Sequence, residues 1–346
     1  MRRTKPITKI EFNLTDKSNV NTIKLTQKLR ELRRGIIGIR EQKNALIKEI
    51  EDLEKTIKNA QLKRSISKVF LYGFFLKSHG QTLEENIAEL KADKIGAQEE
   101  LKQLTLELNI HLPLDLIEAY YNIDSSFRKL IDTSHIWHIT NRFNYIMHPV
   151  INNKLQYIIA QSGIDALQKF FQKPHIFETD YYHDNPSYLR VYKAKTAVSR
   201  HYVRFSLKAF PEFSTLYRAL HFVDTLGMEL YCYPSFIIVM DKEGSFVIRD
   251  IEDLKMEYST IPFVESNEQL VAPKVIDMTW AALYSYETGF REEIYKAMVV
   301  AEYGQLKVQV NNNWKVEFLV NNSTALLEFV EAFKQYQATF QLMTQS

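Results

Sequence analysis

Residues 25–60 read LTQKLRELRRGIIGIREQKNALIKEIEDLEKTIKNA, and this stretch decides how the N-terminal part of the chain is interpreted. Apolar residues recur in it at alternating steps of four and three, with Lys43 at the one vacant place. The same spacing resumes over residues 83–108, where Lys94 is the polar exception. Heptad spacing keeps one apolar seam of a helix facing a partner helix along its length. The pattern therefore predicts two long helices that pack together as a coiled coil.

The two predicted helices carry opposite charge. Residues 24–64 contain twelve Lys and Arg against six Asp and Glu, whereas residues 80–110 contain three against seven. Complementary charge favours an antiparallel hairpin within one chain, and dimeric coiled coils between chains are the alternative. If Ala60 lies opposite Leu83, then Lys43 faces Glu100 and Lys94 faces Glu49, so each seam lysine has a carboxylate within reach.

An apolar segment, residues 66–77, forms the predicted tip of the hairpin. It contains Phe70, Tyr72, Phe74 and Phe75 and is flanked by lysines. Aromatic side chains between lysines suit insertion into an anionic membrane surface. The alternative is a short helix that packs against the rest of the chain or binds a partner protein.

The remainder of the chain divides by its periodicity. Residues 1–19 form a basic segment compatible with a strand, and residues 20–112 form the hairpin. Residues 113–185 are predicted to be a helical connector, with helices at Leu114–Asp132 and Asn152–Phe171. Residues 186–346 are predicted to form an antiparallel β domain that ends in a helix over 323–339, capped by Asn322 or Ser323.

Alternating apolar residues predict the strands of this β domain. Asp241 to Gly244 resembles a hairpin turn in which Gly244 supplies a positive φ, and Tyr303-Gly304 and Asn311–Asn313 are expected to break the chain direction. The predicted strands are Tyr202–Lys208, Glu229–Tyr233, Phe236–Asp241, Phe246–Asp250, Leu254–Tyr258, Lys296–Glu302, Gln305–Val310 and Trp314–Val320.

Three strings within residues 20–340 support a resemblance. They are His135 to Thr140, Leu230 to Val239 and Val299 to Leu306. With the order of predicted elements, they resemble uncharacterised bacterial proteins that have a coiled-coil hairpin ahead of a C-terminal pleckstrin-homology-like domain. The resemblance implies an α+β protein with a bent antiparallel sheet and a C-terminal helix. It implies a binding module and no particular activity.

Basic residues lie among aromatic residues in two neighbouring segments, 188–195 and 200–208. Such a strip suits phosphate contact combined with stacking, or an anionic head group; a solvated strand face is the alternative. On a single strand, Arg204 and Lys208 would lie opposite Val203, Phe205 and Leu207. The predicted anion- or nucleic-acid-binding residues are Arg190, Lys193, Lys195, Arg200, Arg204 and Lys208.

Two weaker patterns suggest a metal. Asp241 followed by Asp253-Leu254-Lys255 imitates the acidic and lysine spacing of metal-dependent nucleases, although Asp241 also suits a turn. His135 and His138 could share a helix face and bind a metal, but structural histidines are the simpler interpretation. No phosphate loop or nucleophile elbow occurs, and no cofactor is predicted.

Composition limits the functional classes. The net charge is only +2, and Cys232 is the single cysteine, which excludes an internal disulfide. The N-terminus lacks an apolar run typical of a secretory signal, and the longest apolar run, Val69 to Leu76, is too short for a membrane span, so a cytoplasmic location is expected. The leading hypothesis is a non-catalytic adaptor that binds a protein partner or an anionic surface. The alternative is a DNA-binding or metal-dependent nuclease-like subunit of a bacterial defence or DNA-processing system.

Overall fold

The structure is a computed structural model, and it describes residues 9–15, 22–70, 77–144, 146–150, 154–158, 176–182, 191–266, 273–285, 292–311 and 314–344. Side chains are described over 9–15, 25–65, 82–140, 198–263, 273–276, 299–311 and 314–344. The chain divides into two compact units. Unit 1 comprises residues 1–111 and 209–217, and unit 2 comprises residues 112–208 and 218–346.

The protein is a mixed α+β structure with several antiparallel pairings. The described helices are α1 (Thr22–Phe70), α2 (Lys77–Gln103), α3 (Leu114–Thr133) and α4 (Ser323–Thr344). The described strands are β1 (Lys9–Asn13), β2 (Leu106–His111), β3 (Ile136–Asn144), β4 (Ile146–Val150), β5 (Lys154–Ile158), β6 (Ile176–Tyr182), β7 (Val191–Val203), β8 (Ser206–Lys208), β9 (Phe213–Ser214), β10 (Ala219–Val223), β11 (Glu229–Cys232), β12 (Phe236–Met240), β13 (Phe246–Asp250), β14 (Leu254–Ser266), β15 (Lys274–Ser285), β16 (Glu292–Val310) and β17 (Trp314–Val320). None of the described helices combines the length and the hydropathy that crossing a membrane requires.

Unit 1 is built on three parallel strands in the order β1-β2-β9. Parallel neighbours require a crossover connection, and here α1 and α2 together form the connection from β1 to β2. The first part of α1 packs on this small sheet. At Gly35 an added Cβ would lie 3.2 Å from Leu106 Cδ2 and 3.3 Å from Ile10 Cδ1, so glycine allows the helix to approach closely.

The rest of α1 contacts α2. Helix α1 has 49 residues and would extend about 73 Å at 1.5 Å per residue. All the apolar seam positions predicted over residues 46–60 and 83–104 are buried or half-buried. Lys94 Nζ lies 2.8 Å from Glu54 Oε1, and Arg64 pairs with Glu84. Lys94 thus meets a carboxylate of α1, but it is Glu54 and not the predicted Glu49.

Two details of the predicted hairpin are wrong. Lys43 does not pair with Glu100; its Nζ lies 3.5 Å from the carbonyl oxygen of Pro211. The heptad pattern also runs too far, because α2 ends at Gln103 and Leu108 belongs to β2, where it is buried. Leucines at alternating positions, residues 104, 106 and 108, satisfy a strand pattern as well, and the pairing with β1 decides between them.

Unit 2 contains two larger sheets. One is antiparallel, with the order β13-β12-β11-β10-β8. The other follows the order β14-β6-β7-β3-β17-β16-β15, and β14 also pairs with β16. The pairings from β14 through β6, β7, β3, β17 and β16 back to β14 therefore close a ring of six strands. Strands β4 and β5 pair separately.

The core of unit 2 lies between its helices and sheets. Phe127 of α3 is fully buried, and its ring centroid lies 5.3 Å from that of Phe222 and 5.1 Å from that of Phe329. The ring of Phe205 meets those of Phe222 and Phe318 edge to face, with a centroid distance of 4.8 Å in both pairs. Helices α3 and α4 contact each other, and α4 also contacts β14 and β16. Close aromatic pairs add to the burial of apolar surface and fix this arrangement.

Several sequence predictions for unit 2 are confirmed. The strands at Phe246–Asp250 and Trp314–Val320 have the predicted bounds, α3 covers the predicted helix, and α4 begins at Ser323. Gly244 has a φ of +84° in the β12–β13 turn. Asn322 is the cap of α4, because its Oδ1 accepts a hydrogen bond from the Ala325 N–H at 3.1 Å.

Other predictions for unit 2 are wrong. The connector is helical only in α3; β3, β4, β5 and β6 also fall in residues 113–185, and Lys154–Ile158 of the predicted second helix is a strand. The rest of that helix lies outside the described residues. Tyr303-Gly304 does not break the chain, because β16 runs through it. An added Cβ at Gly304 would lie 2.8 Å from Leu326 Cδ2, so this glycine lets α4 approach the strand.

Candidate binding site

The ring of six strands encloses an apolar cluster to which five of the strands contribute. Its members contact one another across the ring, which places them on its inner face. This ring cluster consists of Trp137, Ile139, Val198, Ile261, Phe263, Ala301, Tyr303 and Leu319. Tyr303 and Phe263 are fully buried, and their rings meet edge to face at 5.6 Å. Trp137, Phe263 and Tyr303 are the aromatic members of this cluster, and they form a packed aromatic surface inside the ring of strands.

Arg200 lies beside two aromatic members of the ring cluster, Trp137 and Tyr303. It follows the buried Val198 by two residues on β7, so both side chains are directed to the same side of the strand. Its guanidinium carbon lies 4.7 Å from the ring centroid of Trp137 and 5.7 Å from that of Tyr303, and Nη1 donates a hydrogen bond to Tyr303 Oη at 3.3 Å. The side chain is half-buried. A partly desolvated guanidinium stacked on aromatic rings is suited to bind a carboxylate or phosphate.

The side chains of His135 and Tyr202 extend this aromatic surface toward solvent. His135 stacks 6.1 Å from Trp137 and lies at the same distance from Tyr202, which is 60% exposed. The aromatic surface thus runs continuously from the buried Tyr303 to the exposed Tyr202, with Arg200 beside it. Such a surface can stack on a planar group while the guanidinium neutralises an anion.

A second polar cluster lies on the five-stranded sheet of unit 2. Strand register places Ser206, His221 and Tyr231 side by side on β8, β10 and β11. His221 Nδ1 lies 3.0 Å from Ser206 Oγ, and His221 Nε2 lies 2.8 Å from Glu229 Oε2. Tyr231 also donates to Glu229, and Lys208 Nζ lies 3.3 Å from the same carboxylate.

The charge states of this cluster follow from burial and hydrogen bonding. Burial lowers the pKa of His221 against the opposing influence of Glu229. Burial alone would raise the pKa of Glu229, but hydrogen bonds from Tyr231 and His221 outweigh it and lower this pKa. A neutral histidine between a serine and a carboxylate has the order of a nucleophile–base–acid triad. His221 is only 6% exposed and Tyr231 is fully buried, so the cluster is better suited to hold the sheet than to admit a substrate.

The structure separates the residues of the predicted basic strip. Arg200 belongs to the ring sheet, whereas Lys208 lies on β8 of the other sheet, where Glu229 neutralises it. The predicted strand over 202–208 is interrupted, and Arg204 is exposed between β7 and β8. Lys193 and Lys195 lie on β7, but their side chains, like Arg190 as a whole, fall outside the described residues. One continuous basic face through Arg200 and Lys208 is therefore absent from the described part of the chain.

The residues of the nuclease alternative are not brought together. Asp241 Oδ1 accepts hydrogen bonds from the N–H groups of Glu243 and Ser245 at 2.9 and 2.8 Å, so this side chain stabilises the β12–β13 turn. Asp253 follows the opposite end of β13, and a five-residue strand spans about 13 Å, much more than two ligands of one ion allow. Lys255 is exposed on β14. Within the described residues, no group of three or more His, Cys, Asp and Glu side chains could hold a metal ion.

The two histidines of the other metal alternative point in opposite directions. Neither lies on a helix: His138 belongs to β3, and His135 directly precedes this strand. His135 stacks on Trp137, whereas His138, the next residue after Trp137, points to the opposite face of the strand. His138 Nδ1 accepts a hydrogen bond from the Thr225 N–H at 3.2 Å and packs on Phe318. Burial lowers the pKa of His138, which favours the neutral ring of a structural histidine.

A small cavity of about 180 Å³ lies beside β12 and β13. Its walls are mainly apolar, and Asp241 and Arg249 are the charged residues at its edge. Ligand pockets for small molecules usually measure about 300–1,000 Å³, so this cavity is too small for such a role.

The predicted tip residues Tyr72, Phe74 and Phe75 lie outside the described residues, and Phe70 is described only as the last residue of α1.

The contacts of Arg200 with Trp137 and Tyr303 are not predictable from sequence periodicity. More than sixty residues separate Trp137 from Arg200, and more than one hundred separate Arg200 from Tyr303.

Comparisons with protein-family models, curated proteins and solved structures find no match to this chain.

Proposed function

We propose that this protein is a non-catalytic adaptor that binds a protein partner or an anionic surface through its helical hairpin and its β domain. In this proposal α1 and α2 form a coiled-coil hairpin, and unit 2 is pleckstrin-homology-like in having bent antiparallel strands and a C-terminal helix. The observation that carries the proposal is the length of the α1–α2 pair. Its apolar seam positions are buried or half-buried, while most residues on the other faces of the two helices are exposed to solvent.

The open faces of this pair support a role in protein binding. Three large apolar side chains away from the seam are exposed: Ile47 by 44%, Leu62 by 61% and Ile95 by 55%. Exposed apolar side chains on a long, regular scaffold are suited to a partner helix or groove. In the β domain, the half-buried Arg200 on Trp137 and Tyr303 supports recognition of an anionic group.

Capture of partners by the full-length chain tests the protein-binding part. The double variant Ile47→Asp plus Ile95→Asp should abolish capture of a partner from host extract, because it places charge on the open faces without touching the seam. Leu342→Asp on α4, a site 74% exposed, is the matched control and should leave capture unchanged. Equal capture by wild type and by the double variant would remove the hairpin from the proposal.

Binding of an anionic ligand tests the β-domain part. Arg200→Gln keeps a polar side chain of similar length but removes the charge beside Trp137. We expect it to reduce binding to vesicles that contain phosphatidylserine, with Lys274→Gln, an exposed lysine of β15, as control. If Arg200→Gln binds as well as wild type, Arg200 is only a packing residue of the ring cluster.

A further inference from the structure

The first part of α1 presents a row of arginines to solvent. Arg30, Arg33 and Arg34 are all exposed, and their spacing of three and four residues places them on one face of the helix. Leu32, Ile36 and Ile39, which are fully buried, occupy the opposite face. We call Arg30, Arg33 and Arg34 the arginine face.

The observed register of the helix pair leaves this face without acidic neighbours from α2. Lys94 pairs with Glu54, and ten residues earlier on α2 Glu84 pairs with Arg64, ten residues later on α1. This is an antiparallel alignment, residue for residue. Continuing nine residues from Lys94 to Gln103, the end of α2, brings the alignment to residue 45 of α1. The arginine face therefore lies beyond the reach of the acidic helix.

The excess charge of α1 lies in the part that α2 does not cover. Residues 24–44 contain seven Lys and Arg against two Glu, whereas residues 45–64 contain five against four. Complementarity between the helices thus accounts for little of the positive charge. Within the uncovered part, Lys28 pairs with Glu31 and Arg40 pairs with Glu212. Arg30, Arg33 and Arg34 form no ion pair with any of the described residues.

These observations favour a polyanion with regularly spaced charges. Guanidinium groups match phosphate oxygens through paired hydrogen bonds, and a rigid helix presents them at intervals of about 5–6 Å. A membrane is less well matched, because the arginine face has no aromatic side chain and only Ile37, 40% exposed, as an apolar neighbour. We infer that the arginine face of α1 binds the phosphodiester backbone of duplex nucleic acid without reading its sequence. This inference goes beyond the adaptor function and does not depend on it.

Fluorescence anisotropy of a labelled 20-base-pair duplex tests the inference with the full-length protein. Three phosphate contacts correspond to a slope of about −2.7 in log K against log salt, so affinity should fall about 40-fold between 50 and 200 mM salt. The triple variant Arg30→Gln, Arg33→Gln, Arg34→Gln should lose that dependence and most of the binding at 50 mM salt. Glutamine is a good helix former, so the fold should persist, and circular dichroism verifies this.

A matched control lies on the same helix. Lys48→Gln, Lys55→Gln, Lys58→Gln changes the charge equally at exposed positions within the part of α1 that α2 covers, and it should bind the duplex as wild type does. Absence of wild-type binding at 50 mM salt would overturn the inference, as would equal losses in both triple variants. Binding to phosphatidylserine vesicles in place of the duplex, lost in the arginine variant, would assign the face to a membrane and equally overturn it.

Discussion

Asp250 should make the stability of unit 2 depend on pH. It is the last residue of β13 and caps the short 3-10 turn Ile251–Asp253, since its Oδ1 accepts a hydrogen bond from the Glu252 N–H at 3.1 Å. Burial raises the pKa of Asp250 from 3.8 to about 6, and the charges of Glu252 and Asp253 add to the rise. The change to test is Asp250→Asn, which keeps the capping oxygen and removes the titration.

The sign of the effect follows from which state binds the proton more tightly. Because the folded-state pKa lies above the unfolded one, the stabilisation by the proton is fully present below pH 3.8 and is lost as the pH rises through about 6. A pKa difference of roughly two corresponds to about 3 kcal/mol. Asp250 is half-buried, so solvent screening reduces this, and we expect about 1–2 kcal/mol.

Urea denaturation followed by tryptophan fluorescence measures the difference, since Trp137 and Trp314 are buried in unit 2. At pH 7.5 Asp250→Asn should be more stable than wild type by about 1–2 kcal/mol, and at pH 4 the two should nearly coincide. Asp253→Asn removes one of the neighbouring charges that raise the pKa of Asp250. It should therefore be more stable than wild type at pH 7.5, but by less than Asp250→Asn. A variant less stable than wild type at pH 7.5, or a difference independent of pH, would refute the reasoning.

Two further predictions concern packing. Glu212 of unit 1 is buried and accepts a hydrogen bond from Arg40 Nε at 2.6 Å. Arg40→Met should lower the free energy of unfolding, measured by urea denaturation, by about 3 kcal/mol, because the buried carboxylate loses its partner. The added change Glu212→Leu should restore most of this loss, and an Arg40→Met variant as stable as wild type would contradict the prediction. Gly304→Ala should cost about 1–3 kcal/mol, because its Cβ would lie 2.8 Å from Leu326 Cδ2 and 3.1 Å from Ser323 Cα. The control is Gly96→Ala at an exposed helix position, where an added Cβ would have no atom within 4 Å. It should stabilise the protein by about 0.5–1 kcal/mol, because alanine favours the helix more than glycine does. If thermal unfolding shows Gly304→Ala to be the more stable of the two variants, the packing argument is wrong.

The elements that sequence predicted well are those whose signals are local. Phe246–Asp250 begins with three apolar residues of high strand propensity and lies between a turn and a short break. Gly244 has the positive φ that its turn requires. Helix α4 begins where Asn322 can accept a hydrogen bond from the chain three residues on. Each of these signals operates within a few residues, so neighbouring structure does not override it.

The candidate site was predictable only in part. Arg200 is among the predicted anion-binding residues, but the sequence also predicts one uninterrupted strand over Tyr202–Lys208, with Arg204 and Lys208 on the same face. The interruption at Arg204 and Phe205 divides the strip between two sheets, and Phe205 turns into the aromatic core with Phe222 and Phe318. Long-range packing of Phe205 cannot be deduced from periodicity, because any buried aromatic position looks alike in sequence.

Heptad spacing by itself determined that the N-terminal part contains two long helices with one apolar seam each, because the period of a helix is fixed. Local strand and turn signals determined β11, β12, β13 and β17, whereas β10 and β15 were not predicted from sequence. Tertiary structure alone decided the register of the helix pair, the parallel pairing of β1 with β2 and the closure of six strands around Trp137 and Tyr303. These features depend on contacts between residues far apart in the chain, whose free energies exist only once the elements have met.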